Sequence, residues 1–412
     1  MPTITSRTAL DALVRHVVAD TRAIDIHTHL FPPAHGQLLL WGIDELLTYH
    51  YLLSELFIAT DIEPAVFFAL PKARQAEIVF QELFINRSPI TEAARGVLMV
   101  LQRLGLDMSC RDLAEIRRGF ANIRVDDYLN RILDLAGVDY AVMTNDPFAP
   151  AEADAWRRNE QAPARLKTAL RIDSMFNNWP AACRQMADQG YAVADDATAI
   201  KAAREFLNDW ADRLLPMYMA ASMPDTFVYG GNQTSRVIDD VVIPFARERG
   251  LPLALMIGVK RGVNPAFGQA GDGVGQSDID SVARLASKHG DVKLLVTTLS
   301  RVDQHELAVT ARKFANLHVF GCWWFCNQTS IIQEMTRLRV EMLGTAFTAN
   351  HSDARVLDQL VYKWATTRQV LADVLVEKFG ALFDTGWRPS EQEIRRDVRR
   401  LMGGAFEEFL AR

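Results

Sequence analysis

Two histidines in Asp25-Ile26-His27-Thr28-His29 are the residues best equipped for chemistry. They close an apolar run that reads as a β-strand, and residues two apart on a strand point to one face. His27 and His29 can therefore aim two imidazoles at one point, and neutral imidazole binds zinc and similar divalent ions. Far along the chain, Asn350-His351-Ser352-Asp353-Ala354-Arg355 ends another apolar run. Asp353 can complete a site begun by His27 and His29 if the two runs are neighbours, and a carboxylate beside a metal can also carry protons. Arg355 offers a planar fork suited to a substrate carboxylate. His351 is a further candidate ligand or base. Gly321-Cys322-Trp323-Trp324-Phe325-Cys326-Asn327 follows a third run, and tryptophans there can wall a pocket with apolar surface and an indole N–H. Each motif has a plainer reading. The histidines could be surface residues before the turn at Phe31-Pro32-Pro33, Asp353 a helix cap, Arg355 half of a surface ion pair, and one tryptophan part of the core. The pair His50-Tyr51, taken alone, reads as packing.

The site needs elements that bring both ends of the chain together. Eight short apolar runs recur, at residues 23–29, 140–145, 166–173, 217–223, 253–258, 292–299, 317–323 and 342–350. Helix-like stretches alternate with them, as in βα units around a parallel sheet. Several runs are continuous and not alternating, as expected of strands covered on both faces. Eight is the number that closes a (β/α)8 TIM barrel, in which strands 1 and 8 are neighbours and sites form at the C-terminal ends of strands. More than a hundred residues separate the first run from the second, with helix-like stretches at 43–57, 72–83 and 91–104. The expectation is one α/β domain over 1–412, in which residues 31–125 form a helical insertion after strand 1, a lid over the catalytic face. The glycines of 262–276 mark a long flexible loop, and 390–412 reads as a charged helix packed outside the barrel.

With 412 residues, 49% of them hydrophobic, the chain can bury a large core without disulfide staples. Cys110, Cys183, Cys322 and Cys326 are expected as buried free thiols in a reducing compartment. A net charge of −6 with no basic stripe argues against nucleic acid as a partner. No run is long enough for a membrane span, and the first residues read as an amphipathic helix and not a signal peptide. The expected location is the cytoplasm. Large barrels often self-associate, which leaves a homo-oligomer open.

The motifs, in their order, resemble the uronate isomerase family, an outlying branch of the metal-dependent amidohydrolase superfamily that interconverts hexuronate aldoses and ketoses. Asp25-Ile26-His27-Thr28-His29-Leu30 is similar to the family's D-x-H-x-H-L, and His50-Tyr51 falls where the family has a His-Tyr pair. Thr144-Asn145-Asp146-Pro147 resembles T-D-D-P, Arg171-Ile172-Asp173 resembles R-P-D, residues 321–327 resemble G-S-G-W-W-F-N-D, and Asp353-Ala354-Arg355 resembles D-S-R. The resemblance implies that His27, His29 and Asp353 bind one divalent metal ion. Zinc heads the list, and manganese, iron and nickel also suit that set. It implies further that His50, Tyr51 and Arg355 position substrate and move protons, and that Arg171 holds the end of strand 3 or a substrate oxygen.

Some positions depart from the family pattern. Met256 stands where the family carries a strand 5 histidine, Ala221-Ser222-Met223-Pro224 lacks the acid after strand 4, and Asn130 takes the place of an arginine. A thioether is a poor ligand for a hard ion, so the metal would lose one ligand, bind more weakly, or recruit His351. Three readings follow. The first is aldose–ketose isomerisation of a hexuronate or related sugar acid. The second is a metal-dependent hydrolase or lyase acting on a small carboxylated or aromatic substrate, with Met256, Met223, Trp323 and Trp324 making an apolar pocket. The third is a barrel that binds without chemistry, against which stand the retained His27, His29, Asp353 and Arg355. All three take a small molecule, expected to carry a carboxylate.

Overall fold

Short apolar runs need cover on both faces, and here they find it in a curled parallel sheet. The structure is a computed structural model that describes residues 4–109, 111–158 and 161–412. Its strands are β1 (Ala23–Thr28), β2 (Val138–Asn145), β3 (Leu166–Arg171), β4 (Met219–Pro224), β5 (Leu253–Lys260), β6 (Gly273–Val274), β7 (Leu294–Thr298) and β8 (Leu317–Val319). Strands β1 and β7 are buried at every residue. Among the described residues seven strands pair in parallel in the order β1-β2-β3-β4-β5-β7-β8, and only β6 is antiparallel, on the end of β5. Helices intervene between successive parallel strands, so the architecture is α/β. Between β1 and β2 the described segments are helical, among them Ile43–Leu47, His50–Ala59, Lys72–Phe80 and Glu92–Arg103.

The expected eighth run, 342–350, is only partly extended. Met342 and Leu343 end the helix Thr329–Leu343, and a single parallel bridge joins Phe320 to Thr348. The segment nevertheless reaches from β8 to β1. Thr348 N–H donates to Val319 O (3.1 Å) and Gly321 N–H to Thr348 O (2.9 Å), while Asp353 N–H donates to His27 O (3.1 Å) and His29 N–H to Ala354 O (2.8 Å). Between those contacts side chains replace the ladder: Asn350 Oδ1 accepts from Cys322 N–H (3.0 Å) and Asp25 Oδ1 from Ser352 N–H (3.0 Å).

Two other expectations need correction. The glycine-rich loop is structured: Pro265–Gly271 forms a 3₁₀ helix, β6 pairs with β5, and Ser54 Oγ donates to Ala270 O (2.9 Å). The C-terminal segment does not lie outside the sheet. It breaks after helix Glu391–Arg399, and helix Ala405–Ala411 buries Phe406 and Phe409. These rings join an inner cluster with Ile24, Ile26, Val142, Ala220, Ala254 and Leu295. Gly403 (φ +119°) makes this possible, because a Cβ there would sit 2.5 Å from the Cβ of Ile24. Cys322 and Cys326 are buried free thiols and Cys183 is only partly buried, while Cys110 lies outside the described residues. Among the described residues no helix is long and apolar enough to cross a membrane.

Candidate active site

The alternation of β1 changes phase just before its histidines. Asp25 pairs with Ala141 and Thr28 with Met143, so β1 spends three steps where β2 spends two. The extra residue is a bulge. It lets Ile24 and Ile26 join the inner cluster while His27 and His29, one step out of phase, meet Asp353. His27 Nε2 stands 3.6 Å and His29 Nε2 3.2 Å from Asp353 Oδ1, and the three ligand atoms lie within 4.8 Å of one another. Asp353 adopts φ +53°, a left-handed conformation that Asp tolerates better than most residues.

The hydrogen bonds fix the tautomer of His29. Thr144 Oγ1 donates to Thr28 O (2.9 Å) and lies 3.0 Å from His29 Nδ1. A hydroxyl has one hydrogen, so Thr144 accepts from His29 Nδ1–H and leaves Nε2 with a bare lone pair. That lone pair faces a carboxylate oxygen at 3.2 Å, an arrangement suited to holding a cation between them. Two ligands ~2.1 Å from one ion at tetrahedral angles would stand about 3.4 Å apart, so the spacing fits. Among the described residues, both nitrogens of His27 and Oδ1 of Asp353 are buried without a hydrogen-bond partner. Burial holds the His27 imidazolium down to about 3 and drives His29 well below its ordinary range, so both rings are neutral at physiological pH.

Around this cluster other buried polar atoms have no hydrogen-bond partner among the described residues: His50 Nε2, Tyr51 Oη, Trp324 Nε1 and both nitrogens of His351. His50 lies edge-on to Tyr51 (ring centres 4.6 Å apart) and to Trp324 (5.4 Å). Trp324 takes φ +41°, stacks on Phe325 and sits under the guanidinium of Arg261. Trp323 instead packs inside the sheet with Met256 and Leu299. Met256 thus fills the inner core beside Thr297 of β7, and Met223 belongs to the larger, outer core. His351 lies behind His27, ring centres 5.2 Å apart, and outside the ligand triangle. Its ring fits because residue 321 is glycine (φ +64°); a Cβ there would come within 2.2 Å of His351 Nδ1.

The two arginines differ. Arg171 is half committed: it donates to Asp173 Oδ2 (2.6 Å), and Asp173 Oδ1 accepts from Ser222 N–H (2.9 Å), which ties β3 to β4. Arg355 lines a cleft of about 620 Å³ together with Tyr49, His50, Lys72, Phe267 and Ala270, and among the described residues its guanidinium has no ion-pair partner. Sequence reasoning missed Thr144 as a tautomer-setting residue and Lys363 as a charge at the site. Lys363 is buried within Leu360-Val361-Tyr362-Lys363-Trp364; a lysine inside an apolar run was the available signal.

Fold and cluster together define an α/β protein built on a parallel sheet with a candidate metal centre. No family model matches the chain, and a search of curated proteins gave no significant match. Among solved structures, a uronate isomerase from Bacillus halodurans C-125 is 46% identical, with the match covering 100% of this chain and 98% of that one at a TM-score of 0.97. This chain therefore belongs to the uronate isomerase family. A uronate isomerase from Thermotoga maritima (16% identity, 99% and 98% covered) and a glucuronate isomerase from Caulobacter crescentus (15%, 100% and 95%) each superpose with a TM-score of 0.77, which speaks for the fold alone.

Proposed function

We propose that the protein interconverts the aldose and ketose forms of a hexuronate. The supporting observation is the convergence of unpartnered buried polar atoms from His27, His50, Tyr51, Trp324 and Asp353 on one place, with the unpaired guanidinium of Arg355 at its edge. Such atoms are costly unless a ligand satisfies them. A polyhydroxylated acid with one carboxylate matches that set, and the relative at 46% identity is a uronate isomerase. On this reading the chain is one (β/α)8 barrel, and residues 31–125 are a lid over its catalytic face.

His27, His29 and Asp353 would hold one divalent ion, zinc before manganese, iron or nickel. When bound, the ion supplies Lewis acidity that steadies charge on substrate oxygen. Arg355 binds the carboxylate through its planar fork. Arg171, already braced by Asp173, has one edge left for a hydroxyl. Burial lifts the Tyr51 phenol well above its ordinary range, so it keeps its proton and donates a hydrogen bond to the C1 oxygen. Burial holds His50 down to about 3, so it orients a hydroxyl as a neutral ring and brings no charge. That leaves Asp353 as the group able to accept the C2 proton and return it to C1, while the proton of the C2 hydroxyl passes to the C1 oxygen across the enediol. Trp324 offers its indole N–H and a flat wall to the carbon chain, and His351 supports His27 from behind.

The test is ketose formation from glucuronate and galacturonate by the metal-loaded protein. Turnover of either supports the reading. Absence of ketose from every hexuronate at high enzyme concentration would overturn it.

A further inference from the structure

Lys363 is a charge in an unexpected place. It lies in the second turn of helix Gln359–Asp384, 2% exposed, among buried Leu360, Val361 and Trp364. Its Nζ stands 5.2 Å from the centre of the Tyr51 ring and 5.7 Å from that of Tyr362. The anions whose fields reach it are Asp353, Glu92 and Asp25. Each is engaged elsewhere. Asp353 faces the two histidines, Glu92 accepts from Thr329 Oγ1 (2.8 Å) and pairs with Arg95 (3.1 Å), and Asp25 accepts from Ser352 N–H (3.0 Å) and Trp364 Nε1–H (2.8 Å). Among the described residues none of them forms an ion pair with Lys363. Its cationic field also falls on His50 and His351. Tyr362 is clamped in turn: a Cβ on Gly96 of helix Glu92–Arg103 would lie 2.8 Å from its ring.

A buried ammonium without a bonded anion is costly, and methionine would fill the same space at less cost. Where such a group sits beside a site it is usually in use. We infer that Lys363 is a positioning residue of the isomerisation: seated against the Tyr51 ring, its ammonium fixes the phenol and supplies the positive charge that steadies negative charge gathering on the substrate's C1 and C2 oxygens. Cations favour the face of an aromatic ring, and among the described residues the Tyr51 hydroxyl makes no hydrogen bond of normal geometry. The role rests on the isomerase reading and adds a residue that does not touch the substrate. Burial brings the ammonium down to about 8, so the charge is present at neutral pH and is lost on mild alkalinisation. The groups facing it are Tyr51 and His50 from the helix His50–Ala59, Glu92 from the helix Glu92–Arg103, Asp25 from β1, His351 and Asp353 from the segment before its own helix, and Tyr362 beside it.

The experiment compares metal-loaded wild type with Lys363→Met and Lys363→Arg. It reads kcat and KM for a hexuronate from about pH 6 to about pH 10, calorimetric affinity for gluconate, an open-chain acid that cannot isomerise, and the melting midpoint. Lys363→Met should melt at or above wild type. It should bind gluconate within about threefold and lose kcat by roughly tenfold or more, and it should lack the alkaline limb expected of wild type near pH 8. Lys363→Arg should recover part of kcat and move the limb upward. Wild-type kcat and pH profile in Lys363→Met would overturn the role. So would a loss of kcat that keeps the wild-type limb, comes with a lowered melting midpoint, and is not rescued by arginine. If wild type binds gluconate yet forms no ketose, the isomerase reading fails first and this role falls with it. If wild type turns over and Lys363→Met equals it, this role alone fails.

Discussion

Thr144 has one hydroxyl hydrogen, and Thr28 O claims it, so the hydroxyl must accept from His29. The consequence reaches the metal. With Nδ1 carrying the proton, Nε2 is bound to present its lone pair toward Asp353. Thr144→Val keeps shape and removes this control, so the imidazole is free to take the other tautomer. Loss of such a supporting bond typically lowers metal affinity about 10–100-fold; a chelator competition on the purified variant reads this directly, and unchanged affinity would show that the tautomer is set some other way. Removing a ligand is harsher. His27→Ala and Asp353→Asn should each fall from near one equivalent of divalent ion to a small fraction of it by elemental analysis, and lose activity by roughly a thousandfold. Asparagine is the apt replacement, because it tolerates the φ of +53° at this position and changes only the charge. Metal retained at wild-type level in Asp353→Asn would exclude Asp353 as a ligand.

At the scale of elements, the C-terminal segment shows what a one-dimensional reading loses. Residues 390–412 carry many charges, and that composition points to solvent. The structure breaks the segment at Gly403 and turns Phe406 and Phe409 into the inner cluster, where Phe406 meets Tyr218 edge-on at 6.0 Å. Phe406→Ala should cost about 3–5 kcal/mol by the deletion of a buried ring, measured as a shift of the denaturant midpoint. A change below about 1 kcal/mol would mean the ring is not a structural plug. The strand ends were legible because chemistry-bearing residues there break an apolar run: Asp25 to His29, Thr144 to Asp146 and Arg171 to Asp173 fall in or just after strands, and Asp353 to Arg355 fall where the chain bonds back to β1. The bulge in β1 was not legible, since a skipped pairing leaves no mark on residue type. The eighth run was misjudged at its start because Met342 and Leu343 suit a helix end as well as a strand. The 3₁₀ turn at Pro265–Gly271 was read as loose because its glycines signal loop, whereas its order comes from tertiary contacts of Phe267 with Phe57 (ring centres 4.7 Å apart) and of Ala270 with Ser54. Lys363 showed in the sequence only as a charge inside an apolar run, and its place at the site was not legible for a related reason: only the fold brings its helix against Tyr51.

At the scale of the whole molecule, the buried histidines set the response to acid. Burial holds His27, His50 and His318 down to about 3 and drives His29 and His351 well below the ordinary value of 6.5. In the unfolded chain each protonates near 6.5, so between about 6.5 and about 3 the unfolded state binds more protons and stability rises with pH. Read downward, stability present above 6.5 is lost as pH falls toward 3, by up to roughly 1.4 kcal/mol per pH unit for each such histidine. The metal-loaded protein should fall more steeply than the chelated one, because protons on His27 and His29 also expel the ion. His318 separates the two effects. Its Nε2 lies 2.9 Å from Thr348 Oγ1 and its ring stacks on Phe409, next to the C-terminal plug and not among the ligands. His318→Gln should therefore flatten the acid slope of the melting midpoint and leave metal content unchanged. A midpoint that stays level from about pH 7 to about pH 5 in the chelated wild type would refute the neutral-histidine account. An unaltered slope in His318→Gln would assign the acid sensitivity to the other four histidines, which cluster at the candidate site.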